Sequence, residues 1–274
     1  MKPIIRALAE AARQLDETSD TARLDSELLM AEALHIDRDK LILSPPARDV
    51  PDRFWEMVSR RKAGEPIAYI TGRRAFWNIE LHVGPGVLVP RPDSEVLIAA
   101  AVEHFANRAP KRILDLGTGP GTLLLAALDI WPKATGIGID VSRRALSYAA
   151  SNARRLGLEE RTDLRIGDWA KGLDEHFDLI LCNPPYIAAD ANLGPGVREF
   201  EPDEALFAGE QGLDAYRVLA PELPRLLAPA GLAAVEIGAD QAKPVCKMLT
   251  RDGLTCEMRD DLAGRPRAVL LTWV

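Results

Sequence analysis

The chain has 274 residues, is 47% hydrophobic and carries a formal net charge of -7, enough to bury one catalytic domain with a smaller appendage. That balance excludes broad electrostatic adhesion to nucleic acid, which needs a surplus of Lys and Arg facing phosphates. The longest charge-free apolar run, Leu116 to Leu128, stops at Asp129, too short to cross a bilayer.

The opening stretch, Met1 to Leu15, carries Lys2, Arg6, Glu10 and Arg13 and so lacks the apolar run of a signal peptide; the expectation is a cytoplasmic protein with no membrane partner. Cys182, Cys246 and Cys256 are odd in number and form no C-x-x-C, which fits reduced thiols. Four scattered histidines add no ligand pair, and no metal is expected.

Up to about residue 75 the apolar spacing is helical, through Ile4, Ile5, Leu8 and Leu15, then Leu24, Leu28, Leu29 and Leu34, then Phe54, Trp55 and Val58. Ser44-Pro45-Pro46 breaks one helix, Pro51 suits the first turn of the next and Gly64 follows its basic end. This predicts a small helical domain over 1–74. Between 75 and 92 the period becomes two, with Trp77, Ile79, Leu81 and Val83 against Asn78, Glu80 and His82, then Gly84-Pro85-Gly86 and Val87-Leu88-Val89, and the spacing predicts a β-hairpin linking two domains. Beyond Pro90-Arg91-Pro92, an Asp93 or Ser94 cap opens a helix through about Phe105.

Over 93–274, buried-strand runs alternate with helical stretches, which specifies a mostly parallel, doubly wound α/β sheet. The last two runs have too little chain between them for a helical crossover and should pair antiparallel. A sheet closed in this way resembles the Rossmann-like methyltransferase fold.

In such a sheet the ligand lies beyond the carboxyl ends of the strands. The first run ends in Asp115-Leu116-Gly117-Thr118-Gly119-Pro120-Gly121. Its alternate glycines let backbone turn tightly toward a ligand at the following helix, although a purely structural turn would read the same. The second run ends in Asp140, about twenty residues further on, where a carboxylate accepts from two ribose hydroxyls. A helix cap is the alternative role, though Ser142 can serve there itself. The third ends in Gly167-Asp168-Trp169, offering a polar contact and either an apolar wall for an adenine or simple core packing. Together these describe an adenosine-bearing ligand.

The fourth run ends in Asn183-Pro184-Pro185-Tyr186. An amide or amino nitrogen is a poor nucleophile, so a site that methylates one must fix its hydrogens and aim it. Asn183 offers a side-chain carbonyl for one hydrogen and Pro184 a main-chain carbonyl for the other. Tyr186 offers a flat face to the acceptor and a π surface for a cation. Cys182, in the strand itself, reads as a buried residue rather than a nucleophile.

With these motifs the sequence resembles the release factor glutamine methyltransferase family (PrmC, also called HemK). Further matching stretches are Glu65 to Gly72, Val89 to Glu95, Phe200-Glu201-Pro202 with Ala205-Leu206, Gly209 to Leu213, and Glu236-Ile237-Gly238. The resemblance implies S-adenosylmethionine as methyl donor, S-adenosylhomocysteine as product, and a peptide chain release factor as partner, methylated on the glutamine of its Gly-Gly-Gln loop. It implies a cofactor site of Gly117, Thr118, Gly119, Pro120, Gly121, Asp140, Asp168, Trp169 and Asn183. Asn183, Pro184, Pro185 and Tyr186 would hold the glutamine, and the helical domain would hold the release factor. Apart from the resemblance, a monomer is expected, and the acidic balance sets the expectation of no direct nucleic-acid binding. Pro120 stands where the family often has serine, and Ser94 where threonine is common. The nearest rival is a nucleic-acid adenine or cytosine amino-methyltransferase, since the same motif suits exocyclic amines. The acidic balance opposes it.

Overall fold

A computed structural model describes residues 3–194, 196–250 and 253–274. The chain divides into two compact units. One runs to Arg73 and takes in Leu193–Glu201; the other comprises Arg74–Asn192 and Pro202–Val274.

The first unit contains α1 (Pro3–Leu15), α2 (Ala22–Leu34), α3 (Arg38–Leu43), α4 (Asp52–Lys62) and α5 (Ile67–Thr71). Ile4, Leu15, Leu29, Met30, Leu41, Phe54 and Met57 form its core. The apolar spacing misplaces one face of α2. Leu24 is exposed, while Asp25, Ser26 and Glu27 are buried, because arginines reach in to pair the two carboxylates. Arg61 Nε lies 2.7 Å from Asp25, and Arg38 Nη2 lies 2.7 Å from Glu27. Burying a paired, hydrogen-bonded carboxylate avoids the large cost of burying a lone one.

Leu193–Glu201 was expected in the catalytic domain, yet it packs within the helical unit. Gly64 and Gly196 meet back to back with φ of 94° and 81°. A Cβ on Gly196 would stand 2.0 Å from the Gly64 carbonyl oxygen, so only glycine lets the two backbones approach.

In the second unit, β1 (Arg73–Phe76) and β2 (Ile79–His82) form a two-stranded sheet. The expected hairpin is therefore shifted. Trp77, read as a strand residue, has φ of 52° and makes the turn, and Val87-Leu88-Val89 is not a strand. Pro85, Pro90 and Pro92 lack the backbone N–H a third strand would need, and Gly84 and Gly86 offer no side chain to pack in one.

There follow α6 (Glu95–His104), β3 (Arg112–Leu116), α7 (Thr122–Ile130), β4 (Thr135–Asp140), α8 (Arg143–Arg155), β5 (Thr162–Ile166), β6 (Phe177–Cys182), the short α9 (Val197–Phe200) in the loop that joins the first unit, α10 (Asp214–Leu226), β7 (Leu227–Glu236), α11 (Ala242–Leu249), β8 (Leu254–Asp260) and β9 (Pro266–Trp273). The sheet order is β5-β4-β3-β6-β7-β9-β8. β3 to β7 run parallel, and β9 lies antiparallel between β7 and β8. The α/β fold with a closing antiparallel hairpin is thus as the alternation predicts. β3 records its two faces: Leu114 and Leu116 join the core with α10 and α11 residues, whereas Asp115 accepts from α7.

The expectation of reduced thiols is overturned for two of the three cysteines. Cys246 on α11 and Cys256 on β8 form a disulfide with Cα atoms 5.8 Å apart; the sheet brings together two positions that no local motif links. Cys182 is free and buried. Among the described residues, no helix is long and apolar enough to cross a membrane, and no group of three or more His, Cys, Asp or Glu side chains is placed to hold a metal.

Candidate active site

The winding reverses between β3 and β6, which are neighbours in the sheet but lead outward in opposite directions. Beyond their carboxyl ends, where ligands bind in such sheets, lies a cavity of about 490 Å³. The β3 end builds one side. Asp115 is buried, and its Oδ2 accepts from Thr118 Oγ1 at 2.7 Å and from Leu124 N at 3.2 Å. Its Oδ1 is buried without a partner, and Asp115 lines the cavity. Burial pushes this carboxyl up to about 7 against the pull of those hydrogen bonds. Gly117, Gly119 and Gly121 have φ of 74°, 57° and 88°, which the turn requires and side chains resist.

Asn152, fully buried on α8, holds this turn in place. Its Oδ1 accepts from His82 N at 2.7 Å, and its Nδ2 donates to His82 O at 3.0 Å and Pro120 O at 2.9 Å. The glycine turn and the hairpin are therefore joined through one amide.

At the β4 end, Asp140 Oδ2 accepts from Gly119 N and Oδ1 from Ser142 N, both at 2.8 Å. Each oxygen keeps acceptor capacity for a further donor. The capping role falls to Ser142, whose Oγ accepts from Ala145 N at 3.2 Å. Burial raises the Asp140 carboxyl, and nearby Glu204 adds to this. Trp169, with φ of 51°, both lines the cavity and packs against the core.

At the β6 end, Asn183 lines the cavity and its Nδ2 donates to Ser94 Oγ at 3.0 Å. Ser94 therefore uses its side chain on Asn183 and makes no cap hydrogen bond to α6. Tyr186 turns inward: its hydroxyl donates to Glu236 Oε1 at 3.1 Å, and its carbonyl accepts from Gln241 Nε2 at 3.0 Å. The next residues carry the far wall. Ile187 N donates to Leu206 O, Ala208 N to Ile187 O, and Ala189 N to Gly209 O, at 2.9, 3.0 and 3.0 Å.

Residues 6–72 match the model for the PrmC N-terminal domain, and residues 107–252 match a methyltransferase domain. A release factor glutamine methyltransferase from Caulobacter vibrioides is 40% identical, covering 97% of this chain and 95% of that one. Its counterpart from Rhodospirillum rubrum is 43% identical, covering 90% and 78%. This chain belongs to the release factor glutamine methyltransferase family. A methyltransferase from Pyrococcus furiosus shares the fold at 18% identity, with TM-score 0.52, covering 78% of this chain and 96% of that one.

Within the family's motifs, Gly117, Thr118, Gly119, Pro120, Asp140, Trp169, Asn183 and Pro185 line the cavity together. Gly121, Asp168, Pro184 and Tyr186 are not among its lining residues. Gly121 is buried at the start of α7, where a Cβ would sit 2.7 Å from Leu125 Cδ1. Asp168 is exposed, Pro184 is buried, and the Tyr186 ring packs against the core. Conversely, sequence reading gave no role in the site to Asp115, Asn152 or Glu236, and gave Ser94 only a cap. The signals available were that Asp115 opens the first strand-end motif and that Ser94 and Glu236 fall in stretches resembling the family.

Proposed function

We propose that this chain transfers a methyl group from S-adenosylmethionine to the side-chain amide nitrogen of the glutamine in the Gly-Gly-Gln loop of a peptide chain release factor. The observation that carries the reading is Asn183. It stands in the cavity beside the glycine turn with its NH2 group engaged by Ser94, so its carbonyl oxygen is left to accept from an incoming amide.

The residues present fit the cofactor. Asp115 offers a buried, unpartnered carboxylate oxygen to an ammonium group, Asp140 offers acceptor capacity to ribose hydroxyls, and Trp169 offers an apolar wall. Gly117, Thr118, Gly119 and Pro120 would bring backbone close to the ligand. S-adenosylmethionine supplies an electrophilic methyl group on a sulfonium and departs as S-adenosylhomocysteine. Asn183 would accept one amide hydrogen of the glutamine and Pro184 O the other, aiming the nitrogen. Pro185 would line the acceptor's path, and Tyr186 would act from behind the site rather than as an open stacking face. Catalysis is then chiefly orientation, which can supply much of a barrier's reduction. We place the reaction in the cytoplasm, with a monomeric enzyme and the helical unit holding the release factor. A role on nucleic acid is disfavoured by the net charge of -7.

The test is transfer of labelled methyl. Release factor should take up label, its loop Gln→Ala variant should refuse it, and the Asn183→Ala enzyme should lose turnover while keeping most of its cofactor affinity. Label entering DNA or RNA instead would overturn the reading.

A further inference from the structure

Glu236 ends β7, beside the strand that delivers the acceptor motif; Cys182 is in register with Val235, so Glu236 sits level with Asn183. It is 1% exposed. Its Oε1 accepts from the Tyr186 hydroxyl. Its Oε2 is buried without a hydrogen-bond partner, and the Ser94 hydroxyl is among the groups that favour its charged form. Its main chain is fixed as well, since Tyr216 Oη donates to Glu236 O at 2.9 Å. A buried carboxylate at this cost needs a reason.

Hydrogen-bond direction supplies one. A carboxylate only accepts, whereas a hydroxyl donates once and accepts. A Ser94 hydroxyl whose hydrogen turned to Glu236 would face Asn183, which donates to it at 3.0 Å, as an acceptor alone. Asn183 must then present NH2 to Ser94 and its oxygen to the cavity. We propose that Glu236 is a positioning residue of the acceptor site, its carboxylate holding Tyr186 directly and, through Ser94, setting which end of the Asn183 amide meets the substrate nitrogen. This rests on the glutamine-methylation reading and assigns Glu236 no contact with substrate.

A protonated or amidated Glu236 reverses the chain. It becomes a donor to Ser94, Ser94 becomes free to donate to Asn183, and the flipped amide offers NH2 to an acceptor that is itself NH2. Around Glu236 stand Tyr186 and Cys182 from β6 and its exit, Tyr216 from α10, Asp93 beside Ser94, and Arg267 from β9. Arg267 lies 3.2 Å from Asp93 and draws the Glu236 carboxyl down, while Asp93 pushes it up. Burial dominates and brings it to about 7.

The experiment measures kcat against pH at saturating cofactor, with release factor as acceptor, for wild type, Glu236→Gln, Ser94→Ala and the double variant. Wild type should lose kcat on acidification through a pKa near 7. Glu236→Gln should be flat across that range and lower in kcat by about 10²-fold, the cost of a misaimed group, with cofactor Kd unchanged. Ser94→Ala should also lose the acid limb, and the double variant should be no worse than the weaker single, as expected of residues acting as a unit. Glu236→Gln with wild-type kcat, multiplying single effects, or an acid limb surviving in Ser94→Ala would overturn the proposal. Ser94→Ala decides the matter if Glu236→Gln does not fold. A wild-type enzyme that labels no glutamine sinks the parent reading instead.

Discussion

Replacing Asn152 with alanine removes one amide that serves three backbone groups: His82 N, His82 O and Pro120 O, at 2.7, 3.0 and 2.9 Å. The side chain is fully buried, so water does not readily take its place. Leaving a buried polar group without its partner costs about 1–3 kcal/mol, and three such groups with partial relaxation come to roughly 3–5 kcal/mol. For a unit of this size each kcal/mol lowers Tm by about 2–4 °C, so a drop of roughly 10 °C is expected in a calorimetric scan. The loss should also reach the ligand. Pro120 O anchors the glycine turn, and a turn freed from the hairpin must be ordered again on binding, so the cofactor Kd measured by titration calorimetry should weaken by about tenfold, equivalent to 1.4 kcal/mol. A variant melting within about 2 °C of wild type, less than one kcal/mol for such a unit, and binding cofactor equally well would refute the claim that this amide couples hairpin to turn.

Two further outcomes follow from the geometry. Gly196→Ala forces a methyl group toward the Gly64 carbonyl at φ of 81°, so Leu193–Glu201 should detach within the helical unit, read as new protease cleavage there and faster amide exchange. Asp115 has its carboxyl raised by burial to about 7, so between the unfolded pKa and that value the folded state holds a proton that the unfolded chain has released. The sign of linkage makes its contribution to stability fall as pH rises across roughly 4 to 7; a ligand-free Asp115→Asn protein should show a shallower loss of Tm over that range than wild type, and an identical profile would contradict the raised value.

The succession of strands and helices along the chain, and the residues at the strand ends, were legible because burial on both faces writes continuous apolar runs, and each run stops where its cavity-facing residues begin. Gly117 to Pro120, Asp140 and Asn183 could be named for that reason. Ser94, Asn152 and Glu236 could not, since each acts across a gap in sequence; Asn152 lies 70 positions from His82. A buried amide in the last turn of an amphipathic helix carries no periodic mark. Tyr186 was read as an open face because its type suits stacking, whereas its placement depends on a glutamate from another strand. Leu24 misled in the same manner: it is exposed while Asp25 and Glu27 are buried, their burial depending on arginines that approach from other helices.

The strand of chain from Leu193 to Glu201 is a loan from the catalytic half to the helical one. An excision that removed everything before Arg74 would not yield a clean catalytic fragment. It would strand those nine residues with Gly196 facing solvent where Gly64 had been, immediately downstream of the segment carrying Asn183 to Ile187. Shuffling the helical half between relatives therefore requires exchanging this loop too, as a matched pair of glycines.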